Sequence, residues 1–120
     1  MIFYIILKEG DLMYKLLIVE DDFIIAKGLQ KHFEKYHYDV QYIQDFEHVL
    51  DDFLAFQPDL VLLDIHLPFF DGYYWCQEIR KISQVPIVFI SSANENMNIV
   101  LAMNMGGDDF INKPFDLQVV

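Results

Sequence analysis

Asp64 ends an apolar run, Leu60-Val61-Leu62-Leu63, and is followed by Pro68 and the pair Asp71-Gly72. A buried parallel strand ending in one carboxylate aims it at the carboxyl edge of a sheet, where open α/β sheets bind ligands. Three other strand-like runs end in polar groups. Glu20-Asp21 follow Leu16-Leu17-Ile18-Val19, Ser91 follows Ile87-Val88-Phe89-Ile90, and Lys113 follows Asp109-Phe110-Ile111-Asn112. If these strands are parallel, two acids, a hydroxyl, an amine and Asp64 meet in one place. That set suits phosphoryl transfer to a carboxylate. Asp64 could attack phosphorus and form an acyl phosphate. Ser91 could hydrogen-bond a phosphoryl oxygen, and Lys113 supplies a point charge. Glu20, Asp21 and Asp64 together offer the hard oxygen ligands that magnesium takes, and a divalent cation would relieve their repulsion. Asp22 is better suited to capping the next helix. Each residue alone has an ordinary structural explanation, but their order, each after its own strand, makes the combination specific.

The elements that must position them alternate strand with helix. Leu16–Val19 reads as the first strand, and Asp22 caps a helix to about Tyr36 with Ile25, Leu29 and Phe33 on one face. Asp39–Ile43 is the second strand. Asp45 is expected to cap a second helix that turns Phe46, Val49, Leu50, Phe53 and Leu54 inward until Pro58 stops it. Leu60–Leu63 is apolar throughout, as a strand covered on both faces should be. Gly72 to about Ile82 is a helix with Trp75, Cys76 and Ile79 inward. Pro86 opens the strand Ile87–Ile90. Met97 to Met105 is a fourth helix ended by Gly106-Gly107, and Phe110–Asn112 is a short fifth strand broken by Pro114. This alternation implies right-handed βαβ units and a parallel sheet. The expected fold is α/β, a flavodoxin-like (βα)5 three-layer sandwich with strand order 2-1-3-4-5 and a truncated fifth helix.

The 120 residues make one domain, 54% hydrophobic and 22% charged, which points to a globular fold rather than disorder. A formal net charge of −11 argues against direct binding to nucleic acid or an anionic membrane. The acidity serves solubility, a cation site, or both. Cys76 is the sole cysteine, so there is no disulfide framework or thiolate metal site, and a reducing cytoplasm is the simplest setting. On its helix Cys76 reads as a buried, inert thiol. Residues 1–13 read as an N-terminal extension and 14–120 as the domain. Met1 to Leu7 is nearly all apolar but too short to span a bilayer. Two readings of it are open: translated upstream sequence before a native start at Met13, or an extra strand or cover for an exposed apolar face.

The chain resembles a receiver domain of a bacterial two-component response regulator. The motifs that carry this are Leu17-Ile18-Val19-Glu20-Asp21-Asp22, Leu62-Leu63-Asp64 with Pro68 and Asp71-Gly72, Pro86 to Ser91, and Gly107-Asp108-Asp109-Phe110 with Lys113-Pro114-Phe115. The resemblance implies that Asp64 is the phosphoacceptor, Asp21 a direct magnesium ligand and Glu20 a ligand through water. The backbone carbonyl of His66 would be a further ligand, and Ser91 and Lys113 would contact the phosphoryl group. Phe110 would be the aromatic switch that turns inward when Ser91 moves. The Lys113-Pro114 peptide is often cis in such domains. The implied partners are a sensor histidine kinase and a second copy, paired through the fourth helix, fifth strand and fifth helix. DNA would be reached only through an output domain of a longer parent chain. More narrowly, Gly72-Tyr73-Tyr74-Trp75-Cys76 and Phe89-Ile90-Ser91-Ser92 resemble winged-helix-class regulators that answer cell-envelope stress and antimicrobial peptides. Ser92 and Gly107 depart from the usual alanine, and both are small.

Two other functions compete. An aspartate-nucleophile phosphatase would need an acid/base carboxylate two residues after the nucleophile, and His66 stands there. A pseudo-receiver that only binds partners would not need Glu20, Asp21, Asp64, Ser91 and Lys113 intact. His32, His37, His48 and His66 lack metal-ligand spacing. Phe69 and Phe70, in the loop after Asp64, are expected at the surface where a kinase docks.

Overall fold

The computed structural model describes residues 13–92 and 103–113, with backbone alone for 91, 92, 112 and 113. Residues 1–12 of the N-terminal extension, most of the expected fourth helix, Pro114 and the expected start of a fifth helix lie outside the described residues. The elements are β1 (Lys15–Val19), α1 (Phe23–Glu34), β2 (Asp39–Tyr42), α2 (Val49–Phe56), β3 (Leu60–Asp64), α3 (Gly72–Arg80), β4 (Ile87–Ser92) and β5 (Asp109–Lys113). All strand pairs are parallel, and the order is β2-β1-β3-β4-β5. This is the expected flavodoxin-like sheet.

Period-two alternation divides the strand side chains between two cores. Leu17, Val19, Val61, Leu63, Ile87 and Phe89 face α2 and α3, packing with Val49, Phe53, Trp75 and Ile79. Leu16, Ile18, Val40, Leu62, Val88 and Ile90 face α1, packing with Ala26, Leu29 and Phe33. The central strands carry unbroken apolar runs, Leu16–Val19, Leu60–Leu63 and Ile87–Ile90, because both faces are covered. No helix among the described residues is long and apolar enough to cross a membrane.

Asp22 caps α1 as expected, its carboxylate accepting from the Ile24 and Ile25 amides at 3.0 and 3.4 Å. Asp45 does not cap α2. The helix starts three residues later, behind His48, which makes no side-chain cap bond. Asp45 instead accepts from the Glu47 amide at 3.1 Å and pairs with His48 Nδ1 at 2.8 Å. The short acidic side chain satisfies a local turn before the helix can begin. Phe46 is buried from that turn rather than from the helix. Leu54 was expected inward but is 52% exposed, on the rim of a groove it shares with Phe53 and Ile82. α2 ends at Gln57, which takes the left-handed φ of 52° before Pro58. β4 and β5 run further than expected, so Ser91 and Lys113 lie within strands rather than just beyond them.

Candidate functional site

Val19 of β1 pairs with Leu63 of β3, which brings Glu20 level with Asp64 at the carboxyl edge. Asp64 in turn pairs with Ile90, so Ser91 stands one row beyond it, opposite Asn112 of β5. Lys113 ends β5 opposite Ser92. All the expected positions therefore occupy one edge of the sheet, on four of its strands. Three of the side chains converge closely: one carboxylate oxygen each from Glu20, Asp21 and Asp64 lie within 4.8 Å of one another.

Their burial differs. Glu20 is fully buried and Asp64 is 3% exposed, while Asp21 is exposed. Ionised carboxylates this close repel one another, and a divalent cation bound among them would relieve that repulsion. Glu20 Oε2 also accepts the Asp22 amide at 3.0 Å, which ties the acid to the start of α1. Three hard oxygen donors, one open to water, fit a magnesium-type ion that keeps part of its hydration shell. His66 is exposed two residues past Asp64, where its backbone can reach the same edge.

The loop from β3 to α3 fixes Asp64 from below. The Gly72 amide donates to the Ile65 carbonyl at 2.8 Å, and Ile65 donates to the Ile90 carbonyl at 3.2 Å. Asp71 caps α3 by accepting from the Tyr74 amide at 2.9 Å. Gly72 packs so tightly that a Cβ there would lie 2.1 Å from the Asp64 carbonyl oxygen. The pair Asp71-Gly72 is visible in the sequence as a turn, but this backbone contact is not. Between them, Phe69 holds a left-handed φ of 71° and is 69% exposed, and Phe70 stacks on Tyr74 at 4.3 Å. Both phenylalanines are at the surface, as expected.

Phe110 is half-buried and packs against the core on the α2/α3 side. Cys76 is fully buried and donates to the Met105 carbonyl at 3.3 Å. Burial pushes its thiol up to about 11, which makes it inert at neutral pH, as expected. His32 is half-buried against Phe33 and Tyr36. His48 is exposed, and its hydrogen bond to Asp45 raises its pKa. Neither takes part in the site. The groove around Phe53, Leu54 and Ile82 lies between the far ends of α2 and α3 and is lined by no charged residue.

Comparison with known proteins agrees with this geometry. The family described as response regulator receiver domain matches residues 16–120. The transcriptional regulatory protein YvcP of Bacillus subtilis (strain 168), itself described as uncharacterized, is 52% identical over 108 residues, 90% of this chain and 46% of that protein. The N-terminal domain of the nisin resistance regulator NsrR, a lantibiotic response regulator, superposes with a TM-score of 0.82 at 51% identity, covering 88% of this chain and 90% of that one. The BeF3-activated receiver domain of Klebsiella pneumoniae RstA superposes with a TM-score of 0.82 at 34% identity, covering 88% and 90%. The chain spans about half the length of the curated relatives it matches. The narrower resemblance, to regulators answering antimicrobial peptides, agrees with the description of NsrR. With its family matched over nearly its whole length and its sheet in the same order, this chain belongs to the response regulator receiver domains.

Proposed function

We propose that Asp64 accepts a phosphoryl group from the phosphohistidine of a sensor kinase. The observation that carries this reading is the convergence of Glu20, Asp21 and the buried Asp64 within 4.8 Å at the carboxyl edge. An Asp64 oxygen attacks phosphorus, the P–N bond of the donor breaks with its electron pair left on the imidazole, and an acyl phosphate results. Glu20, Asp21, Asp64 and the His66 carbonyl would hold magnesium, which supplies charge neutralisation for the phosphoryl oxygens when bound. Lys113 adds a fixed positive charge from β5, and Ser91 donates a hydrogen bond. Most of the work is positioning and electrostatics rather than acid–base catalysis. The domain is a signalling phosphoacceptor that promotes only its own phosphorylation and dephosphorylation.

The new charge then draws Ser91 and Phe110 inward and biases the face around β5 between two arrangements. That face would pair two copies and control a transcriptional output domain of a longer parent chain, through which DNA is bound. The formal charge of −11 supports the absence of nucleic acid contact by this domain itself. We place it in the cytoplasm, answering cell-envelope stress. Phe69 and Phe70, exposed beside the site, suit kinase docking.

The test is intact mass after incubation with acetyl phosphate and magnesium, beside Asp64→Ala. One added phosphoryl group, absent from the variant and without magnesium, is expected. A folded wild-type chain that gains no mass and binds no beryllofluoride would overturn the reading.

A further inference from the structure

Arg80, the last residue of α3, is 16% exposed in its side chain and spends its guanidinium almost wholly on other segments. Nε donates to the Gly106 carbonyl at 3.0 Å. One terminal nitrogen donates to the Ser83 and Val85 carbonyls at 3.3 and 2.7 Å, and the other to Asp108 Oδ2 at 2.7 Å. The same Asp108 oxygen accepts the Ile87 amide at 2.8 Å, and the Asp108 amide donates back to the Ile87 carbonyl at 2.8 Å. One side chain thus grips the approach to β4, through Ser83 and Val85, and the approach to β5, through Gly106 and Asp108. Gly106 reaches it only with a φ of 104°, and a Cβ there would lie 3.0 Å from Arg80 Cγ. One turn earlier on α3, Cys76 holds the Met105 carbonyl. The other end of α3 is seated on the Asp64 and Ile65 backbone through Gly72.

We infer that Arg80 is a positioning residue for the phosphoryl-binding half of the site. α3 acts as a strut between the end of β3, which carries Asp64, and the start of β5, which carries Phe110 and Lys113. Arg80 fixes where β5 begins, and a five-residue strand carries that placement to Lys113 at its far end. Glu20 and Asp21 follow β1, and Asp64 ends β3, so the cation ligands do not depend on this anchor. The fork geometry matters as well as the charge. Lysine in its place could still pair with Asp108 but could not also span the carbonyls of Gly106 and Val85.

This rests on the phosphoacceptor reading, so the experiment separates the two. Magnesium alone, and beryllofluoride in saturating magnesium, are titrated calorimetrically into wild type, Arg80→Gln, Arg80→Lys and Asp108→Asn, with urea unfolding of each as the control. Magnesium affinity is expected to hold within roughly twofold, while beryllofluoride binding weakens roughly tenfold or more in Arg80→Gln and by less in the other two. A purely structural role would weaken both together, in step with stability. That result, or unchanged beryllofluoride affinity in folded variants, overturns the inference. Should Arg80→Gln fail to fold, the milder two carry the same comparison. A wild-type chain that binds no beryllofluoride defeats the acceptor reading itself, which is a different outcome from wild-type binding with indifferent variants.

Discussion

Gly72→Ala is a one-carbon test of how Asp64 is held. Alanine normally improves on glycine inside a helix by about 0.5–1 kcal/mol. Here the added Cβ would sit 2.1 Å from the Asp64 carbonyl oxygen, 2.9 Å from Ile65 Cα and 3.0 Å from the Asp64 carbonyl carbon. All three are backbone atoms, so no side chain can swing away. Either α3 or the end of β3 must move by roughly 1 Å before the closest contact becomes tolerable. Overpacking of this kind costs about 1–3 kcal/mol, and the upper half of that range applies because every obstructing atom is main chain. Setting the helix gain against it leaves a net loss of about 1–2.5 kcal/mol. The functional loss should be larger than the stability loss, since a misplacement of about 1 Å at a reacting group can cost on the order of a hundredfold in rate. Urea unfolding gives the first quantity and the time course of acetyl phosphate labelling by intact mass gives the second. A variant as stable as wild type, or one labelled at the wild-type rate, would refute the idea that the Gly72 contact fixes the nucleophile.

Gly28→Ala is the matched control: nothing lies within 4 Å of a Cβ there, so this α1 variant should gain about 0.5–1 kcal/mol, and a loss in urea unfolding would count against the packing argument. Asp64→Asn removes one of the three carboxylates whose oxygens lie within 4.8 Å of one another and should weaken magnesium binding. Magnesium should then stabilise wild type, by ~2.7 kcal/mol at a hundred times its dissociation constant, and the variant much less; equal responses would sink the three-carboxylate site. Burial pushes the Cys76 thiol from 9.0 to about 11, so the folded state holds its proton more tightly than the unfolded state. The associated stability is intact below pH 9 and is lost as pH rises toward 11, on the order of 2 kcal/mol. Urea midpoints should fall less steeply over that window in Cys76→Ala, and superimposable pH slopes would contradict this; the Tyr38 hydroxyl, pushed by burial to about 12, governs the range above it.

The strands and the acid cluster were legible for one reason. β1, β3 and β4 are buried on both faces, so each is an unbroken apolar run, and the first polar residue after such a run marks the sheet edge. Glu20 and Asp64 are found in this way, and Asp21 follows Glu20. α1 was legible through Asp22, whose side chain bonds the helix it precedes. The start of α2 was not, because Asp45 bonds an upstream turn that competes with capping. Leu54 misled because it neighbours Phe53, whose face is buried, and periodicity does not say how wide the buried stripe is. Arg80 left no trace in the sequence. Three of its four acceptor residues offer backbone carbonyls, which every residue carries, and Gly106 and Asp108 lie 26 and 28 residues away. Contacts of that kind exist only once the chain has folded.

Trp75 gives the domain its own optical readout. It is the sole tryptophan, 4% exposed on the first turn of α3, with ring centroids of Phe70 at 5.6 Å and Tyr74 at 4.9 Å. Its indole N–H finds no acceptor among the described residues, so its emission should be blue-shifted and responsive to any dipole that approaches. Tyr74 is close enough to pass excitation to it. The same turn rests, through Gly72, on the backbone that presents Asp64. Changes at the acid site can therefore be followed in real time by the intrinsic fluorescence of the unlabelled chain, without an added dye or a second tryptophan to confuse the signal.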